Sequence, residues 1–245
     1  MNFLAIETSS DRLSIAVGHD DQTTADAIDG AGQKNSELAL PLMHRLLKAA
    51  AISLNEIDVV VFGQGPGSFT GVRIACGLAQ GLAFGLGKPV MAVPSTLVLA
   101  GQAGMDAKKI VVAIDARMGE IYFAVYGRDD AADSGFAEII APRLTKPERL
   151  EDVDTRDMAG IGSAFADPVL NAALRATMPG LVGSPALPCA TSLLTVARRL
   201  YARQGATSTL HPRDAAPLYL RNHVAMTIDE RRRFHEAKNP ARAVA

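Results

Sequence analysis

Tryptophan is absent from this 245-residue chain and aromatic residues make up only 5% of it, so an apolar fraction of 48%, rich in Ala, Leu and Val, must build its interior from small packing units. Cysteine is nearly absent too: Cys76 and Cys189 stand alone and far apart, which excludes a disulfide framework and a zinc spacing and fits a reducing, cytoplasmic setting. No charge of either sign prevails. With 25 basic and 26 acidic residues the formal net charge is −1, which argues against a protein that grips nucleic acid through bulk electrostatics. Any RNA contact must be local or made by a partner. The five histidines, His19, His44, His211, His223 and His235, never fall three or four apart, so no helical metal pair exists and no metal site is expected. The first residues carry no basic region before Glu7 and do not read as a signal peptide. The apolar stretch over residues 71–100 is broken by Arg73, Gln80, Lys88, Pro89 and Pro94, so no membrane partner is expected.

What is present alternates between strand and helix patterns. Apolar runs at residues 3–6 and 13–17 flank a polar turn and predict a hairpin. Leu38, Leu42, Leu46 and Ala49 fall on one helical face over residues 36–51, where Pro41 either kinks the helix or marks its first turn. Ser53 and Glu56 have capping-box spacing. A strand at 59–62, a glycine loop at 63–68, a helix from about 71 to 86 closed by Gly87, a strand at 90–93 and a helix capped by Ser95 complete the first half. The second half begins near Lys108, with strands at 110–114, 121–126, 136–140 and 158–162. An amphipathic helix follows on Leu193, Val196, Ala197, Leu200 and Tyr201, ended by Gly205. Residues after 207 read as irregular, with a solvated tail from Glu230 that includes Arg231, Arg232 and Arg233. The run Leu4–Glu7 and its return strand are repeated by Val112–Asp115 and its return strand, each an apolar strand ending in an acid and doubling back. The expectation is an α/β fold made of two duplicated lobes, 1–106 and 107–206, with helix 191–204 placed between lobes and an irregular extension over 207–245.

Gly63-Gln64-Gly65-Pro66-Gly67-Ser68-Phe69-Thr70-Gly71 is the densest motif. It lacks the Lys-Ser/Thr of a Walker loop, the glycine spacing of a dinucleotide fingerprint and the elbow spacing of a serine hydrolase. Between a strand and a helix it suits either an anion at the helix N-terminus or a tight turn capped by Ser68 or Thr70. Glu7 and Asp115 end their strands where acids hold magnesium or water in nucleotide-using folds, or else they cap hairpin amides. Glu7, Gly67, Ser68 and Asp115 are therefore the cofactor candidates. No catalytic residue stands out. Behind the loop, Gly77, Gly81 and Gly85 recur every fourth residue beside Ala75, Ala79 and Ala83. Each interior glycine costs roughly 0.8–1.0 kcal/mol against alanine. Close approach of another helix would offset that cost, whether from this chain or from a partner.

On these residues the chain resembles the bacterial TsaB (YeaZ) family. The resemblance rests on Leu4-Ala5-Ile6-Glu7-Thr8-Ser9, Ser36-Glu37-Leu38 with Pro41, the block from Phe62 to Ile74, Gly81-Leu82-Ala83-Phe84-Gly85-Leu86, Ile114 to Tyr122, and Pro217-Leu218-Tyr219-Leu220-Arg221. It implies an actin-like, Hsp70-like (ASKHA) duplicated fold and a non-catalytic scaffold role. The implied partners are a TsaD-like catalytic subunit and a TsaE-like ATPase, with threonylcarbamoyl, delivered as its adenylate, passing to an adenosine beside the tRNA anticodon. ATP or ADP and metal would then sit in the partner or at the shared interface, tRNA would be met through the complex, and the chain alone could form a homodimer. The TsaD-type paired-histidine motif has no counterpart after Pro94. The implied pairing surface draws on Leu38, Leu42, Leu46, Arg73, Ile74, Gly77, Leu78, Gly81 and Gly85. Asn35 departs from the His that most members have there. The competing expectations are an active nucleotide-dependent enzyme or peptidase of the same superfold, and a self-associating structural protein.

Overall fold

The computed structural model describes residues 1–104, 107–150 and 157–221. Two five-stranded sheets organise them. Strands β1 (Asn2–Glu7), β2 (Leu13–His19) and β3 (Gln22–Ile28) form an antiparallel meander, and β4 (Val59–Gly63) and β5 (Val90–Val93) add in parallel on the other side of β1. The order is β3-β2-β1-β4-β5. The second sheet repeats it: β6 (Lys109–Asp115), β7 (Ile121–Arg128) and β8 (Phe136–Thr145) form the meander, and β9 (Met158–Ile161) and β10 (Val182–Ser184) add in parallel beside β6. The repeat seen at Glu7 and Asp115 is thus a repeat of topology, with the two acids at equivalent strand ends.

Helices cover both faces of the first sheet because its central strands are apolar on both sides. Leu4, Ile6, Val60 and Phe62 point to one face, which α1 (Asn35–Ala49) and α2 (Phe69–Leu86) cover. Phe3, Ala5, Val59 and Val61 point to the other, against α3 (Ser95–Ala100) and α5 (Ala190–Gln204). The same core continues into Ile110, Val112 and Tyr126 of the second sheet. There the Tyr126 hydroxyl pairs with Thr96 Oγ1 at 2.9 Å, and burial pushes the phenol up to about 12. The far face of the second sheet packs on α4 (Pro168–Thr177) through Leu170 and Leu174. α5 follows β10 in sequence yet is tied to the first sheet: Ala190 N–H donates to Ser14 Oγ at 2.9 Å, and Phe3 meets Tyr201 edge-on at 5.7 Å.

Several local expectations change. Of the two readings of Pro41 the first-turn one falls: it lies within α1, after a 3-10 turn at Gly32–Lys34. Ser95 is the first residue of α3 and Pro94 its cap, because the Ser95 hydroxyl is engaged elsewhere. β3 was not legible, since its residues are mostly exposed and lack the alternation of a half-buried strand. β8 extends to Thr145 through a similarly exposed half. α4 was missed despite an Asp167 cap and Pro168 at its first position. After α5, Leu210 exchanges two backbone hydrogen bonds with Val90, and Pro212–Asp214 forms a 3-10 turn. His223, the triple arginine, His235 and the tail lie outside the described residues.

Candidate partner-docking site

α2 begins where Ser68 Oγ accepts from Gly71 N–H at 3.3 Å and stops at Gly87, whose φ of 64° is the left-handed ending glycine favours. Along it, Ala75, Cys76, Ala79 and Ala83 are buried against the sheet, and Val72 is buried near Gly65 of the loop. Phe69, Arg73, Gly77, Gly81 and Gly85 share the opposite row, one residue every four. A Cβ added at Gly77, Gly81 or Gly85 would meet nothing within 4 Å. Among the described residues, no element of the chain supplies the close approach that three interior glycines call for. Ile74 and Leu78 flank the row half-buried, while Phe84 is 71% exposed and Leu40 on α1 is 49% exposed. By length and composition α2 could cross a bilayer, with a mean hydropathy of 1.3 over its 18 residues, but its inner face is seated on the sheet.

Two residues expected on this surface are not there. Leu42 and Leu46 lie in the chain's own core, 3% and 4% exposed, and Leu38 is half-buried against it. The apolar spacing on α1 marked the face turned inward. The exposed Leu40 stands outside that spacing, and no helical spacing on α2 singles out the exposed Phe84. Phe84 instead walls a cavity of about 430 Å³ shared with Lys88, Leu210 and His211. Asn35 is 1% exposed, and its Oδ1 finds no hydrogen-bond partner among the described residues.

The glycine loop faces inward. A Cβ at Gly67 would overlap the Ser9 backbone, one at Gly71 the Thr8 carbonyl oxygen, and one at Gly63 the Glu7 carboxyl. Ser68 N–H donates to Ser9 O at 2.7 Å, Thr8 Oγ1 donates to Gly71 O at 2.8 Å, and Gly65 N–H donates to Ser95 Oγ at 3.2 Å. These glycines let the β1–β2 turn lie directly on the head of α2. Of the cofactor candidates, Glu7 is wholly buried: Oε1 accepts from Ser9 N–H at 2.7 Å and Oε2 from the Ser95 hydroxyl at 3.0 Å. Asp115 accepts from Arg117 N–H at 2.7 Å and pairs with its guanidinium at 3.1 Å. Both acids thus cap the amide two residues on, the geometry of an Asx-type turn.

Burial raises the Glu7 carboxyl above its ordinary range, against the opposing pull of its Ser9, Ser95 and Thr8 hydrogen bonds. A raised folded-state value stabilises the fold fully below the ordinary carboxylate range, and that contribution is lost as pH rises through the folded value. Glu7→Gln, neutral throughout, is therefore expected to gain on the unaltered protein as pH rises, by about 1.4 kcal/mol per pH unit across that window. Urea unfolding between pH 4 and pH 8 reads this; a difference that does not change with pH would remove the shift, and an unaltered protein that gains on the variant as pH rises would show that the fold prefers the ionised acid.

The repeated sheet order, with helices on both outer faces and between the sheets, places the molecule in the actin-like, Hsp70-like class of duplicated folds. Residues 29–228 match the family described as TsaD, tRNA N6-adenosine threonylcarbamoyltransferase. The chain is 34% identical to the tRNA threonylcarbamoyladenosine biosynthesis protein TsaB of Haemophilus influenzae, over 91% of this chain and 95% of that protein. It is 33% identical to TsaB of Escherichia coli, over 92% and 96%. Two solved Pseudomonas aeruginosa structures, one of YeaZ and one of a protein with similarity to peptidase YEAZ, superpose with TM-scores of 0.77 and 0.79 at 31% identity. They cover 89% and 90% of this chain and 99% of each neighbour. The chain belongs to the TsaB (YeaZ) family, whose named members act in tRNA threonylcarbamoyladenosine biosynthesis.

Proposed function

We propose that this chain is the non-catalytic scaffold subunit of a tRNA threonylcarbamoyl transfer complex, pairing with a TsaD-like catalytic homologue through the outer face of α2. The observation that carries this is the uncovered Gly77, Gly81, Gly85 row, where a partner helix can approach the backbone. Phe84, next to Gly85 in the chain, adds exposed apolar area on the same helix, as the core of a protein interface does. The inward use of the glycine loop and of Glu7 leaves those groups in structural roles, which favours a scaffold over the peptidase or nucleotide-dependent enzyme reading. On this proposal ATP or ADP and metal belong to the partner or the shared interface. A TsaE-like ATPase joins the complex, tRNA is met through it, the setting is the cytoplasm, and the isolated chain can pair with itself through the same row.

Mixing the purified chain with the TsaD-like homologue of the same organism tests this by mass measurement and by modification of tRNA. The expected result is a defined heteromeric complex, with modification that needs both proteins and no turnover by this chain alone. Threonylcarbamoyl transfer at full rate without this chain, or turnover by it in isolation, would overturn the proposal.

A further inference from the structure

The glycine row has an unlike end. One turn before Gly77 the side chain of Arg73 lies over the Phe69 ring, 3.2 Å from its centroid, and 4.8 Å from the centroid of Tyr219. Phe69 and Tyr219 are 48% and 45% exposed, their rings 6.3 Å apart. Arg73 donates to Phe69 O at 2.8 Å and has no ion pair among the described residues. A cation held between two half-exposed rings at one end of an uncovered helix face has the composition of an interface anchor.

Tyr219 does not belong to α2. It comes from the segment after α5, which runs back over the first lobe like a strap. Leu210 is bonded to Val90, Gln80 Nε2 donates to Pro212 O at 2.9 Å, and Gln64 Nε2 donates to Ala216 O at 3.0 Å. Leu218 N–H then donates to Gln64 O at 2.8 Å, in the glycine loop itself. Two residues beyond Tyr219, Arg221 crosses to the second lobe. Its Nη2 donates to Ala116 O at 3.0 Å and lies 2.6 Å from Glu120 Oε2, with both side chains mostly shielded from solvent. These acceptors are presented by the β6–β7 turn, where Arg117, Met118 and Gly119 all take positive φ. Two of those are not glycine, a backbone cost that the surrounding contacts must hold in place.

We infer that the strap is part of the docking face: Tyr219 completes the anchor around Arg73, and Arg221 is the positioning residue that latches the strap to the second lobe. The partner it fits is the same homologous subunit, presenting an acidic side chain to Arg73, so this inference rests on the pairing proposed above. The latch makes one end of the α2 face depend on a contact made in the other lobe.

The test compares Arg221→Met, Tyr219→Ala, the double variant and Arg221→Lys in the full chain. In the isolated protein, the Leu218 amide of Arg221→Met should exchange at least tenfold faster than in the unaltered chain, with the melting transition retained. Affinity for the TsaD-like homologue should fall about tenfold in Arg221→Met and in Tyr219→Ala, and no further in the double variant, because Arg221 acts through Tyr219. Arg221→Lys should recover most of the affinity. Unchanged Leu218 exchange, unchanged affinity in Arg221→Met, or additive losses in the double variant would each overturn this inference while leaving the pairing intact. If the unaltered chain fails to bind the homologue, the pairing falls and this inference with it.

Discussion

Gly81→Leu is expected to weaken association with the proposed TsaD-like partner by at least about 100-fold, about 2.7 kcal/mol, while the isolated chain remains as stable as before or becomes more so. The two halves of that result have separate causes. In the isolated chain no described residue lies within 4 Å of a Cβ at Gly81, so the new side chain displaces none of them and the helix gains roughly 0.8 kcal/mol of propensity. In the proposed complex that side chain would stand where the partner backbone approaches, and interdigitated surfaces do not absorb added volume. Mass measurement of the mixed proteins and thermal melting of the variant read the two effects apart. A variant that still forms the complex at the original affinity would show that the partner docks elsewhere.

Gly71→Ala reverses the sign within the same helix. Its Cβ would overlap the carbonyl oxygen of Thr8, a backbone atom fixed by the β1–β2 hairpin, and the Thr8 hydroxyl bond to Gly71 O would be displaced. Neither neighbour can rotate away, so the loss is expected to reach about 3 kcal/mol or more. For a chain of this size that corresponds to a fall of roughly 6–12 °C in the melting transition. Differential scanning calorimetry of Gly71→Ala beside Gly81→Ala makes the contrast direct. Equal melting temperatures for the two would remove the distinction between glycines that admit the chain's own turn and glycines that face outward.

The difference between these two glycines was not readable from spacing. Residues 63–71 and 77–85 both presented glycine at short intervals, and the loop looked the better candidate for a ligand. Its glycines proved to be filled by Thr8, Ser9 and Glu7, residues more than fifty positions away that β1–β4 pairing brings alongside. The amphipathic pattern on α1 was legible but was assigned to the wrong surface, since a periodic apolar stripe marks the side that packs on the sheet. Tyr219 and Arg221 could be recognised only as a closing motif. Their role depends on a path across two lobes that no local pattern encodes.

By itself the sequence determined the fold class, the duplication, the membership of a tRNA-modification family and the existence of a glycine-striped helix, because strand runs, strand-end acids and helical periods are local properties of the chain. Tertiary structure alone decided which glycines the described residues fill and which they leave open. Burial is a relation between distant segments, and only once the β1–β2 turn settles on the head of α2, and the strap on its flank, does the remaining face of that helix stand uncovered.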